Sequence, residues 1–139
     1  MLQLLSTLHD HVQRARRRRP ADVATLQGDV DLQDALAMSL LVATQAAIDI
    51  AFHVCTDEGW GIPDSYADAF GILARRSVLS AELAERLRRV VAVRNRIAHL
   101  YGTVDIERVW SELPAGLDAL EHLAAGIAAF LGDAPGRSV

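Results

Sequence analysis

The longest helical run in the sequence is DLQDALAMSLLVATQAAIDIAFHVCT, residues 31–56. Apolar side chains recur along it every three or four residues, at Leu32, Leu36, Leu40, Ala43, Ala47, Ile50 and Val54, and others widen this stripe at Leu41, Ile48 and Phe52. This spacing predicts a helix. Because the helix is apolar around much of its circumference, we expect it to be central, with its own bundle on one side and a partner on another.

Asp49 interrupts the apolar character of this helix. A carboxylate that is buried has to be paired or protonated. The sequence therefore leaves two alternatives. Asp49 either contacts an arginine or another polar group of a neighbouring helix, or it faces solvent.

Further helices are predicted before this run. Leucine and valine spacing predicts a first helix over residues 2–18, and four consecutive arginines follow at residues 16–19. We interpret these arginines as a solvated helix terminus, where they complement the helix dipole; contact with RNA is the alternative. The connector over residues 20–30 has room for one short turn at residues 22–26.

Two more helices are predicted between the central run and residue 102. After a loop at residues 57–63, Asp64 or Ser65 is the candidate N-cap of a short helix that extends to about Arg75. Ser80 is the candidate N-cap of the next helix, which carries glutamates first and arginines later. That order is the one that the helix dipole favours.

A last long helix is expected to begin after Asp105. It contains Pro114, so we expect it to kink or restart there. The sequence shows no strand alternation, repeat, glycine-rich phosphate loop or zinc-type spacing. We therefore predict an all-α bundle of four long helices and one short helix. Residues 1–132 are expected to form a single domain and residues 133–139 a flexible tail.

Composition narrows the class of protein further. The chain has 139 residues, which suits one domain. Its net charge of −4 argues against a general nucleic-acid coat but is compatible with a local basic cleft. All 14 basic residues are arginines. Either a GC-rich coding genome or selection for bidentate phosphate contacts explains that choice.

Cys55 is the only cysteine, so an intrachain disulfide is impossible and a reducing, cytoplasmic location is expected. We interpret Cys55 as a small apolar residue of a buried helix rather than a nucleophile. The sequence contains no uninterrupted apolar run of about 18 residues, so no membrane span is predicted.

The strongest candidate for chemistry is the stretch RNRIAHLYG, residues 94–102, at the end of the helix that begins after Ser80. At about 100° per residue, Asn95 and His99 share a face, whereas Arg94 and His99 lie about 140° apart. One ideal helix therefore does not form a tight pair of Arg94 and His99. A second copy of the helix, related by a dimer two-fold, would supply both groups to one cleft.

Two other sets of residues are weaker candidates. Asp49 and His53 are four residues apart on one helix, but no third ligand is evident and no metal site is predicted. Trp60, Tyr66 and Phe70 are interpreted as a local packing cluster, with base stacking as the alternative.

Arg94, His99 and Tyr101 form the pattern Arg-X4-His-X-Tyr, and Asn95 follows the arginine directly. This pattern resembles that of the HepT-type HEPN toxins. The resemblance extends through AAIDIAFH at residues 46–53 and beyond, so that it covers nearly the whole chain.

The chain departs from that family at three positions. Leu100 stands where an acidic residue is common, and Met38 and Gln45 stand where Arg and Glu are expected.

The resemblance implies a HEPN-type up-and-down bundle that forms a homodimer. It implies an RNA endonuclease that uses no metal or other cofactor, with Arg94 and His99 as catalytic residues in a dimer cleft and Asn95 in support. It also implies the toxin role in a type VII-like toxin–antitoxin system. The antitoxin would be an MntA-type nucleotidyltransferase that neutralises the toxin by transferring AMP to Tyr101.

The chemistry of these residue types suits that role, because imidazole titrates near neutral pH and arginine holds phosphate in a bidentate fork. Two alternatives stay open. Arg94, Asn95 and His99 are either a functional site or groups that only cap and pair at a helix end. The chain is either the nuclease or a non-catalytic subunit that binds a nucleotide or a nucleotidyltransferase partner.

Overall fold

The computed structural model describes residues 1–99 and 104–132, and within these ranges all regular structure is helical. The helices are α1 (Leu2–Arg18), α2 (Val23–Gln27), α3 (Val30–Asp57), α4 (Tyr66–Arg75), α5 (Ala81–His99) and α6 (Ile106–Gly132). The predicted all-α bundle with four long helices is confirmed. The predicted short helix is α4, and the turn expected near residues 22–26 forms a second short helix, α2.

Side-chain caps begin the helices at the positions that the sequence indicates. Ser65 Oγ accepts a hydrogen bond from Asp68 N in α4, and Ser80 Oγ accepts one from Leu83 N in α5, both at 3.0 Å. Asp105 Oδ1 accepts one from Arg108 N at 3.2 Å. These bonds satisfy backbone donors that have no partner inside the helix.

The central position of α3 is also confirmed, since it contacts each of the other five helices. Its buried side chains include Ala43, Ala47, Ile50 and Ala51, which are fully enclosed. One continuous hydrophobic cluster joins side chains from Leu8 in α1 to Ile127 in α6. Small alanine side chains let the neighbouring helices approach α3 closely.

The arginines at the end of α1 do more than cap it. Arg16 forms ion pairs with Asp118 at 2.8 Å and Glu121 at 2.9 Å, both in α6. Arg18 donates a hydrogen bond to Ser39 Oγ in α3 at 2.8 Å. The interpretation as a purely solvated terminus is therefore wrong for these residues, because their side chains join α1 to α3 and α6.

The sequence predicts a kink or a restart at Pro114, and a restart does not occur, since α6 continues from Ile106 to Gly132 with Pro114 inside it. A proline removes the N–H that would bond to the carbonyl four residues earlier, here that of Trp110. Arg19 Nε donates a hydrogen bond to the Trp110 carbonyl at 3.0 Å, and its guanidinium lies 4.0 Å from the Trp110 ring centroid. The carbonyl that Pro114 leaves without a helical partner is therefore satisfied by the residue that follows α1.

Two helices, α3 and α6, are long and apolar enough to cross a membrane by length and composition alone. In α3, 56% of the most apolar 18-residue window is buried inside the bundle. Core helices of globular proteins meet the same criteria, so this is weak evidence for a membrane span.

Candidate functional site

The site is built around Arg94, which lies near the end of α5 and is half-buried. Its Nη2 donates a hydrogen bond to Gln45 Oε1 in α3 at 2.9 Å, and its Nη1 donates one to Asn95 Oδ1 at 3.2 Å. The guanidinium carbon lies 5.6 Å from the ring centroid of Tyr66, the first residue of α4. Three helices therefore fix the position of this guanidinium.

The partners of Arg94 among the described residues are all neutral. Within residues 1–99 and 104–132, no carboxylate lies within ion-pair distance of Arg94, and its buried Nε has no hydrogen-bond partner. A buried cation is costly unless it is paired. The aromatic face and the two amide oxygens offset part of that cost. The arrangement leaves the positive charge available to an anion from outside the chain.

Asp49 contacts the site indirectly. It is exposed, and its Oδ1 accepts a hydrogen bond from Gln45 Nε2 at 2.9 Å. Of the two alternatives for Asp49, exposure to solvent is confirmed, and its polar contact is to a residue of its own helix. That contact is to the glutamine that holds Arg94, and not to an arginine itself.

His99 is the last residue of α5 and is exposed. In the part of the chain that the structure describes, it forms no hydrogen bond and no ion pair. Asn95 is half-buried and contacts Arg94. The structure thus brings Arg94 and Asn95 together and places His99 one turn beyond Asn95, without contact between His99 and Arg94. Leu100 and Tyr101 lie outside the described residues.

Sequence reasoning missed the two residues that hold Arg94 from other helices. Gln45 stands out in the sequence only as a departure from the family pattern, although it lies one turn before Asp49 on α3. Of the predicted packing cluster, Phe70 and Trp60 do pack in the hydrophobic core, but the ring contacts are with other residues. Tyr66 packs edge-to-face on Phe52 with ring centroids 6.2 Å apart, whereas Trp60 contacts another ring, that of Phe130, at 5.9 Å.

An open depression of about 520 Å³ lies beside Gln45 and Tyr66, where α3 meets the start of α4. Asp49, Phe52 and His53 also line it. A larger groove of about 610 Å³ runs between α5 and α6. Arg94, Asn95 and His99 line neither the groove nor the depression. We locate the site at the smaller depression, because Gln45 and Tyr66 contact Arg94 directly.

The remaining candidates do not form a site. His53 pairs with Asp57 in the same helix, with 3.1 Å between Nε2 and Oδ2, and not with Asp49. Burial raises the pKa of the Cys55 thiol, which makes it a poor nucleophile. Across residues 1–99 and 104–132, no group of three or more His, Cys, Asp or Glu side chains is placed to hold a metal ion.

Chemically, the arrangement suits binding and cleavage of a phosphodiester. An arginine with neutral partners can bind a phosphate oxygen through a charge-assisted hydrogen bond. An exposed imidazole on the same helix can accept or donate a proton in such a reaction. The geometry of a single protomer supplies one such imidazole next to Asn95.

Comparison with known proteins agrees with this chemistry. Residues 8–127 match the family model described as Ribonuclease HepT-like. The chain is 32% identical over 88 residues to the mRNA nuclease HepT of Shewanella oneidensis. The aligned residues cover 63% of this chain and 66% of that protein. It is 32% identical over 78 residues to the tRNA nuclease HepT of Aphanizomenon flos-aquae, covering 56% of this chain and 53% of that one.

The chain thus spans between about half and two thirds of the length of these two relatives. Its fold is similar to that of a solved structure of the tri-AMPylated Shewanella oneidensis HEPN toxin in complex with MNT antitoxin. The TM-score is 0.84 at 26% identity, covering 92% of this chain and 96% of that toxin chain. The family match extends over most of the sequence and includes both α3 and α5, so the chain belongs to the HepT-like ribonuclease family.

Proposed function

We propose that this chain is an RNA endonuclease that works without a metal ion and is the toxin of a toxin–antitoxin pair. The observation that supports this most directly is the setting of Arg94. Its guanidinium is half-buried, has only neutral partners in the described part of the chain, and lies on the helix that ends at His99. Relatives of the same family are named as mRNA and tRNA nucleases.

The proposed reaction is an internal transesterification of RNA. A base removes the proton of a 2′-hydroxyl, and the 2′-oxygen attacks the adjacent phosphorus. The bond from phosphorus to the 5′-oxygen breaks, and an acid donates a proton to that oxygen. The products are a 2′,3′-cyclic phosphate and a 5′-hydroxyl. His99 moves the protons, Arg94 stabilises the charge on the phosphoryl oxygens, and Asn95 supports Arg94.

We propose that two copies of the chain form the active cleft. The reaction needs both a base and an acid, and each protomer supplies one His99. Met38 supports a covered surface here, because it is 58% exposed and lies seven residues before Gln45 on the same face of α3. An apolar side chain in that place suits contact with a second protomer.

The proposed partner is an MntA-type nucleotidyltransferase antitoxin, as in the related toxin whose solved complex contains an MNT antitoxin and a tri-AMPylated toxin. The hydroxyl that we propose as the acceptor of AMP is that of Tyr101, two residues after His99. An AMP group there would add a bulky anion two residues from His99 in the sequence. It would compete with the RNA phosphate for the same charge.

The experiment that tests the nuclease is a comparison of the purified chain with His99→Ala on total RNA in the presence of a chelator. We expect the unmodified chain to produce fragments with cyclic-phosphate ends, and His99→Ala to be slower by about 100-fold or more, the usual contribution of acid–base catalysis. His9→Ala is the matched control, because His9 is also exposed but lies on α1. Equal cleavage by the His99→Ala variant would remove His99 from the mechanism.

A further inference from the structure

The contacts of Gln45 connect a charged residue that faces solvent to the arginine of the site. Gln45 Oε1 accepts from Arg94 Nη2, and Gln45 Nε2 donates to Asp49 Oδ1, both at 2.9 Å. We infer that Gln45 is a positioning residue that holds Arg94 through a neutral oxygen, and that Asp49 fixes the orientation of its amide. This inference rests on the proposed nuclease function and extends it to two residues that do not react.

The orientation of the amide follows from the chemistry of its neighbours. A guanidinium only donates hydrogen bonds and an ionised carboxylate only accepts them. The glutamine oxygen must therefore face Arg94, and its NH₂ group must face Asp49. In the opposite orientation, two donors would face each other at Arg94 and two acceptors at Asp49. Asp49 thus selects the orientation in which Gln45 binds the guanidinium.

The charge of the contact matters as much as its geometry. Arg16 touches Asp118 and Glu121 directly. At Arg94, the carboxylate of Asp49 is reached only through Gln45, and the whole amide of Gln45 lies between the two charges. Attraction between charges falls with distance, and it is weakened further where one of them is exposed to water.

The result is an arginine that is fixed in place but not neutralised. Two amide oxygens and the face of Tyr66 hold Arg94 in place, as carboxylates hold an ion-paired arginine. Because these groups carry no charge, the site keeps most of its positive charge. A phosphate of the RNA is then the anion that completes the pair. With a carboxylate at residue 45, the chain itself would compete with that phosphate. The family pattern has Glu there together with an arginine at residue 38, whereas this chain has Met38 and Gln45 and so lacks both charges.

The test exchanges the two groups in the double variant Gln45→Glu with Asp49→Asn. The exchange preserves the net charge and allows the same two hydrogen bonds, but it moves the negative charge into direct contact with Arg94. The matched control is Gln3→Glu with Asp10→Asn, another exchange of an amide and a carboxylate at exposed positions of α1. Both are compared with the unmodified chain for thermal stability, cleavage and binding of a 2′-O-methyl RNA, which lacks the attacking hydroxyl.

We expect the exchange at residues 45 and 49 to weaken RNA binding and raise KM by about 10-fold, with little loss of thermal stability. The dependence of log Kd on log salt should become shallower by about 0.7, the contribution of one phosphate contact on a single strand. Gln45→Met separates position from charge, because it removes both hydrogen bonds and adds no charge. There we expect kcat to fall while the salt dependence stays as it was.

Unchanged binding and salt dependence in the folded exchange variant, or unchanged kcat in Gln45→Met, would overturn the inference. If the unmodified chain cleaves RNA and Arg94→Ala does not, the proposed function stands independently of that result. If the unmodified chain neither binds nor cleaves RNA, the proposed function fails and the inference fails with it.

Discussion

At the scale of single residues, the arginines of this chain differ in the groups that they contact. Arg16 contacts two carboxylates, and Arg96 lies 3.8 Å from Glu112, so the charge of each is largely balanced by the chain. Arg94 has two amide oxygens and an aromatic ring in place of carboxylates. Two arginines at the end of α1 also bond to neutral oxygens, but those contacts join helices to one another. Arg94 differs from them because it also belongs to the Arg-X4-His motif, so the motif and the neutral partners together make it the proposed phosphate-binding residue.

Tyr101 is the residue for which the proposed regulation makes a sharp prediction. Incubation of the chain with an MntA-type nucleotidyltransferase and ATP should increase its mass by one or more AMP groups and reduce RNA cleavage. Tyr101→Phe removes the accepting hydroxyl and should abolish the first transfer, as measured by mass spectrometry of the intact chain. Tyr66→Phe is the control, because Tyr66 is the only other tyrosine of the sequence. Unreduced AMP transfer to Tyr101→Phe would show that another residue is the first acceptor.

At the scale of helices, the contact of Arg19 with α6 leads to a prediction about the stability of that helix around Pro114. Arg19 donates to the Trp110 carbonyl, which Pro114 deprives of its helical N–H. Arg19→Ala should lower the free energy of unfolding by about 0.5–1.5 kcal/mol, the net contribution of an ordinary hydrogen bond, because this contact is only partly buried. The measurement is urea unfolding. Arg17→Ala is the matched control, because Arg17 is exposed in the same run of arginines and should change stability little.

The same experiment in a Pro114→Ala background tests the cause. This substitution restores the backbone N–H at residue 114, so the Trp110 carbonyl has a partner within α6 and Arg19→Ala should cost less there. A double-mutant cycle measures the difference as a coupling free energy between residues 19 and 114. A coupling close to zero would mean that Arg19 contributes only through its contact with the Trp110 ring.

The helices themselves were predictable because their signals are local. Ser65, Ser80 and Asp105 cap helices as expected, and the apolar spacing of α3 places it at the centre of the bundle. The continuation of α6 through Pro114 was not predictable in this way. A proline weakens a helix locally, but the donor that compensates for it lies 91 residues before Trp110 in the sequence, and no local pattern indicates it.

At the scale of the whole molecule, the motif at residues 94–99 was predictable and its environment was not. Spacing alone indicates that Arg94 and His99 point about 140° apart, and the structure accordingly shows no contact between them. The contacts from Gln45 and Tyr66 depend on how α3 and α4 are placed against α5. That placement is set by packing of the core, so it cannot be inferred from the residues of α5.

The separation of Arg94 and His99 leads to a prediction about the assembly. The proposed reaction needs a base and an acid, and one protomer offers one His99, so a shared cleft should require both copies. We expect dimers with one unmodified chain and one His99→Ala chain, purified through two different affinity tags, to have far less than half the activity of the unmodified dimer. Two independent sites would instead retain about half, because each chain would then act alone.

Dimers that pair the unmodified chain with His9→Ala, purified in the same way, should keep full activity. Activity near one half in the His99 hybrid would therefore assign the acid and the base to a single protomer, and would require a second proton-transfer group beside His99 within one chain.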